Sequence, residues 1–455
     1  MQPHIFRQYD IRGIVGDDLN AGITESVGQA FASYVRAETA AASPTVAVGG
    51  DNRKSSPDLT AGLIAGIRKA GVNVLHVGTV PTPVLYWTEA MHDVQAGVEI
   101  TGSHNPPEWN GIKMNVKGGT LYGDAIQNLL ARIIEGDLDS GAGSYRELEV
   151  IDAYIKNVSQ RFDLARPMRV AVDCGNGTAS LVAEQLMQAL GVTVTPLFCE
   201  SDPTFPNHHP DPTVDENLQD LIATVEASAH DLGVAFDGDG DRLGVVDETG
   251  SIIRGDLLVL LYGLDLLSRK GPGQSLVFDI KCSQVVAEVF AKAGGHPIMW
   301  KTGHSLIKKK MRETGALLGG ELSGHIMIAD DYFGFDDALY SACRLISMVS
   351  ASGISLSEMV ADFPTYASTP EIRIDVAEEQ KWQVVEEAVA HFGKMHEVIT
   401  VDGARIQFAD GWALLRASNT QPTIVARFEA RTNERLSEIQ AEIDLWLQTR
   451  GLSVS

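Results

Sequence analysis

The chain has 455 residues, 44% of them hydrophobic and 21% charged, with 60 acidic against 36 basic side chains and a formal charge of −24. That length and apolar content allow three or four packed domains and exclude global disorder. So acidic a chain offers no extended basic face to nucleic acid, and an anionic small ligand would need positive groups gathered locally around it.

No stretch approaches the roughly 18 uninterrupted apolar residues of a membrane span. The opening Met-Gln-Pro-His-Ile-Phe-Arg lacks the basic, apolar and small-residue succession of a secretory signal. Cys174, Cys199, Cys282 and Cys343 are scattered without metal-ligand or redox spacing, so a reduced, cytoplasmic protein is expected.

Three stretches share one order of elements. Thr45-Val-Ala-Val-Gly-Gly-Asp51 reads as a strand, followed by the loop Asn52-Arg53-Lys54-Ser55, a helix from Leu59 to Ala70, a break at Gly71 and a strand from Val72 to Val77. Arg169 to Asp173 repeats the order, with a loop to Thr178, a helix ending at Gly191 and a strand to Phe198. Leu276 to Asp279 repeats it again, with a loop to Ser283, a helix ending near Gly294 and a strand from Pro297 to Trp300. Strand, loop, amphipathic helix, glycine stop and strand is the grammar of βαβ units, which present functional loops at the carboxyl ends of their strands. Each unit then carries a further apolar run ending in a richer loop: Gly97 to Ser103, Leu232 to Asp237 and Ala316 to Glu321. From about Tyr366 the texture changes to a smaller α+β unit, with strands at Ile372–Val376, one or two over 398–408, Ala413–Arg416 and Thr423–Glu429, and helices over 378–392 and 436–449. The expected domains are 1–149, 150–251, 252–365 and 366–455.

Four loops carry the candidate chemistry. Thr101-Gly-Ser-His-Asn-Pro-Pro107 sets a hydroxyl at Ser103 ahead of two prolines that fix the backbone, which suits a nucleophile or phosphate carrier; a capped Asn-Pro turn is the plainer reading. Asp237-Gly-Asp-Gly-Asp241 separates three carboxylates by single glycines, so that all three can face one cation. The spacing to Glu248 imitates a calcium EF-hand, but Arg242 stands where that loop needs glycine and both flanks read as strands. Octahedral Mg²⁺ that keeps positions for phosphate oxygen fits better than calcium or a solvated acidic turn. Gly319-Gly-Glu-Leu-Ser-Gly-His325 places Glu321 and Ser323 on one side if extended, able to read sugar hydroxyls or simply to cap a loop. Arg416-Ala-Ser-Asn-Thr-Gln-Pro422 can grip a phosphate through Arg416, Ser418, Asn419 and Thr420, or form a hairpin turn. Tyr9, Arg12, Arg53, Lys113, Lys281, Lys301 and His304 could supply the local positive and polar field, and the Lys308-Lys309-Lys310 run reads as a solvated helix face.

Taken in order, these four loops resemble the α-D-phosphohexomutase superfamily across essentially the whole chain. The Gly-Glu-Leu-Ser-Gly-His form, with Tyr9-Asp-Ile-Arg-Gly13 and Lys301-Thr-Gly-His-Ser305, is most similar to its bacterial phosphomannomutase/phosphoglucomutase branch. The resemblance implies three related α/β domains with mixed sheets and a smaller C-terminal α+β domain around a central cleft. It also implies a resting phosphoserine at Ser103, with Mg²⁺ held by Asp237, Asp239, Asp241 and a phosphoserine oxygen. Glu321 and Ser323 would contact sugar hydroxyls, and Arg416, Ser418, Asn419 and Thr420 the non-reacting phosphate. Arg12, Lys113 and His325 are the implied proton-transfer groups, Arg242, Lys281 and His304 contacts in the cleft, and Tyr9 part of its lining. Arg416, as an anion-binding group, is expected to be exposed. Gly102, Trp109 and Asn115 depart from the residues the resemblance leads one to expect.

The implied activity is interconversion of hexose 1-phosphate and hexose 6-phosphate (mannose and/or glucose) through the phosphoserine and a bisphosphorylated sugar, with glucose or mannose 1,6-bisphosphate as activator. Phosphoglucosamine mutase, a metal-dependent sugar phosphatase and a silent sugar-phosphate sensor are the alternatives. The expected partners are hexose phosphates, with no nucleic acid and no membrane, for a monomer.

Overall fold

The structure is a computed structural model that describes residues 2–39, 41–418 and 421–454. Three mixed sheets follow the grammar read from the sequence. In the first, Thr45–Gly50 lies between parallel neighbours Asn73–Thr79 and Ala96–Ile100, and Trp109–Val116 returns antiparallel beside Ala96–Ile100. The second repeats this with Arg169–Asp173 between Thr193–Leu197 and Leu232–Phe236, and Leu243–Asp247 returning antiparallel. The third does so with Ser275–Asp279 between His296–Trp300 and Leu318–Gly320, and Ile326–Ile328 returning. In all three the loop joining the third strand to its antiparallel return carries the candidate chemistry, so one topology delivers three loops. The strands that lead into them, Ala96–Ile100, Leu232–Phe236 and Leu318–Gly320, are buried at every position. Strands covered by helices on both faces are largely apolar, and Glu99 is the buried exception here.

Helices supply the covering layers. Ser56–Lys69 buries Leu59, Leu63 and Ile67, spaced four residues apart on one face. The helix Thr82–Met91 does more, because Val84, Leu85 and Trp87 enter a core shared with the second and third units. Packing of this kind fixes the three loops relative to one another.

The fourth unit is an antiparallel sheet of Ala367–Ser368, Thr423–Ala430, Gly411–Ala417, Ala404–Phe408 and Glu397–Ile399, with Ile372–Asp375 also pairing to Thr423–Ala430. Residues 398–408 thus form two strands, and the expected helix begins at Lys381, not Glu378. Its own core includes Phe392, Phe428 and Trp446. It docks on the third unit through Arg405, which is fully buried, lies 3.8 Å from the Trp412 ring centre and donates to the Cys282 carbonyl at 2.9 Å. Among the described residues, no helix is long and apolar enough to cross a membrane.

Candidate active site

The serine loop is held from below. Arg53 is 1% exposed, and its guanidinium donates to the carbonyls of Ser103 (2.8 Å), Asn105 (2.6 Å), Pro106 (2.6 Å) and Trp109 (3.1 Å). Asp51 pairs with that guanidinium at 3.1 Å and accepts from Gly102 N at 2.9 Å. Ser103 itself stands at φ +48°, a strained backbone for a residue with a side chain. Thr101 Oγ1 accepts from Ser103 N at 2.8 Å, and the Ser103 hydroxyl then reaches Asp237 Oδ2 at 2.9 Å and His104 Nδ1 at 3.1 Å. Burial, followed by Arg242, Arg12 and Lys113, keeps the His104 imidazole well below its usual range and therefore neutral. Arg12, on the strand Ile11–Ile14, donates to Asn105 Oδ1 at 3.0 Å and to Asp10 at 2.6 Å, at the edge of the same loop.

The three aspartates converge as their spacing predicts. Asp237, Asp239 and Asp241 are fully buried, and one oxygen from each lies within 4.8 Å of the others. Gly238 allows this loop to touch the serine loop, since a β-carbon there would fall 2.3 Å from the Ser103 carbonyl oxygen. Burial and then repulsion from Asp241 and Asp239 push Asp237 well above the carboxylate range. Asp239 is also buried, yet Lys113 and hydrogen bonds from Thr82 (2.7 Å) and Thr101 (3.1 Å) hold it below that range. Lys113 Nζ sits 2.7 Å from Asp239 and 2.5 Å from Asp241, and these carboxylates outweigh burial and keep it charged. One ammonium cannot neutralise three carboxylates, and Oδ1 of Asp239 and of Asp241 are buried without a hydrogen-bond partner. A hard divalent cation with oxygen ligands suits these residues.

The third loop is a tight turn, so Glu321 and Ser323 are not arranged as an extended segment would place them. Glu321 N donates to His325 O at 2.9 Å and Gly324 N to Glu321 O at 3.0 Å. Glu321 is 2% exposed and its carboxylate accepts from Gly303 N, whereas Ser323 is half-buried. Arg242 Nε donates to His325 Nε2 at 3.1 Å, which places the ring proton on Nδ1, facing Asp336 at 3.3 Å and Asp241 at 3.6 Å. His304 stacks on His325 with ring centres 5.2 Å apart, and its Nδ1 lies 2.7 Å from Asp336. Burial lowers His304 to about 4.

From the fourth unit, Arg416 donates to Asp402 at 2.6 Å, and Asp402 accepts from Thr302 N at 3.0 Å. Tyr9 donates to the carbonyl of the same Thr302 at 3.0 Å. Lys281 pairs with Glu371 at 2.6 Å. Ser418 is buried, and Gln421 N donates to its hydroxyl at 3.2 Å, while Asn419 and Thr420 lie outside the described residues.

Domain-family models match in four consecutive pieces: phosphoglucomutase/phosphomannomutase α/β/α domains I, II and III over residues 3–139, 152–250 and 254–366, and the C-terminal domain over 371–445. The chain belongs to the phosphoglucomutase/phosphomannomutase family. It is 49% identical over 438 residues to a phosphomannomutase/phosphoglucomutase of Pseudomonas aeruginosa, spanning 96% of this chain and 94% of that protein. It is 46% identical over 442 residues to a phosphoglucomutase of Neisseria gonorrhoeae, spanning 96% and 95%. A phosphoglucomutase/phosphomannomutase family protein of Burkholderia thailandensis shares its structure with a TM-score of 0.93 and 42% identity, over 99% of this chain and 98% of that one.

Several supporting residues of this family member were not legible in the sequence. Arg53 was expected in the cleft's positive field but is the buried clamp of the serine loop. Gly102 has a physical reason: a β-carbon there would lie 2.4 Å from Arg53 Nε. Arg416 is only 7% exposed and paired, against the expectation of an exposed arginine. Lys308 is not on a solvated face; it is 4% exposed and 2.7 Å from Asp336, one turn along the helix from His304. Lys301 is exposed, as a solvated lysine would be. Asp336 is fully buried and gathers His304, His325 and Lys308. Its only sequence signal was an Asp-Asp pair before a helix.

Proposed function

We propose that this phosphohexomutase interconverts the 1- and 6-phosphates of mannose and glucose through a phosphoserine at Ser103 and a bisphosphorylated sugar. The observation that carries this reading is the Ser103 hydroxyl, set at φ +48° and 2.9 Å from a buried three-carboxylate loop. Asp237, Asp239, Asp241 and Ser103 would hold Mg²⁺, which supplies charge stabilisation to the transferring phosphoryl group. In the first half-reaction a sugar hydroxyl forms a bond to phosphorus as the bond to Ser103 Oγ breaks. After the sugar turns over, Oγ takes the other phosphoryl group back.

The chain's own groups position and stabilise. Arg53 holds the loop so that Oγ does not drift, and neutral His104 lies within hydrogen-bond distance of that hydroxyl when it is unphosphorylated. Lys113 stays protonated among the carboxylates and so acts in the first instance as a fixed positive charge. His325 is the proton-transfer group, with Nε2 available to a sugar hydroxyl once Arg242 turns to the substrate's phosphate; Arg12, bonded to Asn105, is a second candidate at the edge of the serine loop. Glu321 and Ser323 read sugar hydroxyls, with Tyr9, Lys281 and His304 lining the cleft, and Arg416, Ser418, Asn419 and Thr420 bind the distal phosphate. The 1,6-bisphosphate would activate by rephosphorylating Ser103. The four domains are proposed as 1–149, 150–251, 252–365 and 366–455, in a cytoplasmic monomer.

Intact mass should show a fraction of wild type heavier by about 80 Da, one phosphoryl group, and absent from Ser103→Ala. Turnover should be measured on mannose, glucose and glucosamine 1-phosphates with a trace of bisphosphate. Full activity in Ser103→Ala refutes the phosphoserine. Glucosamine phosphate as best substrate refutes the assigned hexose, and net release of inorganic phosphate refutes a mutase in favour of a phosphatase.

A further inference from the structure

Two cysteines that the reaction does not use meet in the second domain. Cys174 follows the strand Arg169–Asp173, and Cys199 lies two residues beyond its parallel neighbour Thr193–Leu197. Their sulfur atoms are 3.2 Å apart. Cys174 is fully buried and Cys199 half-buried. The two loops are laced together, with Cys174 N donating to Leu197 O (3.1 Å), Asn176 N to Phe198 O (2.9 Å) and Asn176 Nδ2 to Glu200 O (2.8 Å).

We propose that Cys174 and Cys199 form a reversible disulfide when the protein meets a hydroperoxide, and that this bond disturbs the metal-binding loop. The half-buried Cys199 sulfur attacks the peroxide, whose O–O bond breaks to leave a sulfenic acid and an alcohol or water. The Cys174 sulfur then attacks the sulfenyl sulfur; the S–S bond forms, the S–O bond breaks, and the hydroxyl leaves as water with the Cys174 proton. The two thiols together lose two electrons and two protons, which reduce one peroxide. The hydrogen bond with Cys199 and burial hold the Cys174 thiol well above its ordinary range, so Cys174 acts second, on an already activated partner.

Closing 3.2 Å to a disulfide of about 2.05 Å requires a contraction of about 1.2 Å. That movement has a short path to the aspartates. Gly177 N donates to Cys174 O at 2.8 Å, while Thr178 donates to Gly238 O through its backbone N–H at 3.0 Å and its hydroxyl at 3.2 Å. Gly238 lies between Asp237 and Asp239. Asn52, adjacent to Arg53, also donates to Asn176 O (2.8 Å) and Ser201 Oγ (2.9 Å), so the serine loop's support rests on the same two segments.

The test treats full-length protein with hydrogen peroxide, then measures intact mass, disulfide-linked peptides and turnover before and after dithiothreitol. The expected result is loss of about 2 Da, a Cys174–Cys199 cross-linked peptide, and a fall in turnover on the order of ten- to a hundred-fold that dithiothreitol reverses. Cys199→Ser and Cys174→Ser should both lack the cross-link and resist the inactivation. Treated wild type without the cross-link overturns the proposal. So does a cross-link with unchanged turnover, or reversible inactivation that persists in both variants. The mass and peptide readouts do not depend on which hexose phosphate is the substrate.

Discussion

Arg53→Lys is the sharpest test of how the serine loop is held. The substitution keeps the positive charge but removes the planar fork that spans four carbonyls between 2.6 and 3.1 Å. A lysine ammonium can meet some of these oxygens and Asp51, but not all of them from one point. Arg53 is 1% exposed, so carbonyls left without donors gain no water in exchange. The charge beside Asp51 is kept, so the cost comes from the carbonyls left bare: each orphaned acceptor costs about 1–3 kcal/mol, and with two unpaired a loss on the order of 4 kcal/mol is expected. Because Ser103 is held in a strained backbone, its loop should relax before the domain unfolds, moving Oγ away from Asp237. Displacement by about 1 Å is worth on the order of a hundred-fold in rate. Urea unfolding and kcat/KM should be measured on one Arg53→Lys preparation, with the phosphoserine fraction read by mass. A variant with wild-type midpoint and wild-type kcat/KM would show that the loop keeps its shape unaided, and the clamp argument would be wrong.

Other outcomes follow from the same geometry. Arg416→Ala should lose on the order of 3 kcal/mol of stability, because Asp402 loses its 2.6 Å partner, and also fall roughly ten- to 150-fold in kcat/KM for both hexose 1- and 6-phosphates. Adding Asp402→Asn should recover melting temperature without recovering kcat/KM; recovery of both would end the phosphate-binding role. EDTA should abolish turnover and Mg²⁺ restore it, with Asp239→Asn needing more metal; activity that survives exhaustive chelation would refute the cation site. Glu89 is pushed up by burial to about 7, with Asn115 and Lys308 opposing the rise. An acid whose folded value is raised gives full stability below about 4.5 and loses it as pH climbs toward 7, here by about 3 kcal/mol. Unfolding midpoints of wild type and Glu89→Gln should therefore diverge over that window, and parallel curves would contradict the burial argument.

Much of the site was legible because its signals are local. Asp237, Asp239 and Asp241 converge through their glycine spacing alone, and the flanking strands announced themselves as buried apolar runs. The repeated strand and helix periods placed three loops at three equivalent strand ends, since alternation of two and of 3.6 residues is written into consecutive positions. What the sequence could not determine was the company each charged side chain keeps. Lys308 looks like its neighbours in a lysine run until Asp336, 28 residues away, comes within 2.7 Å. Arg53 reads as loop polarity until carbonyls up to 56 residues away close around it. Arg416 reads as an exposed anion grip until Asp402 and the turn at Thr302 cover it. Whether Glu321 and Ser323 lie extended was open for the same reason: the antiparallel return to Ile326 bends that segment into a turn. Residue type and spacing determined which groups could do chemistry. Burial and pairing decided which ones are held, charged or hidden, because the free energy of a charge depends on the solvent and partners that only the packed chain supplies.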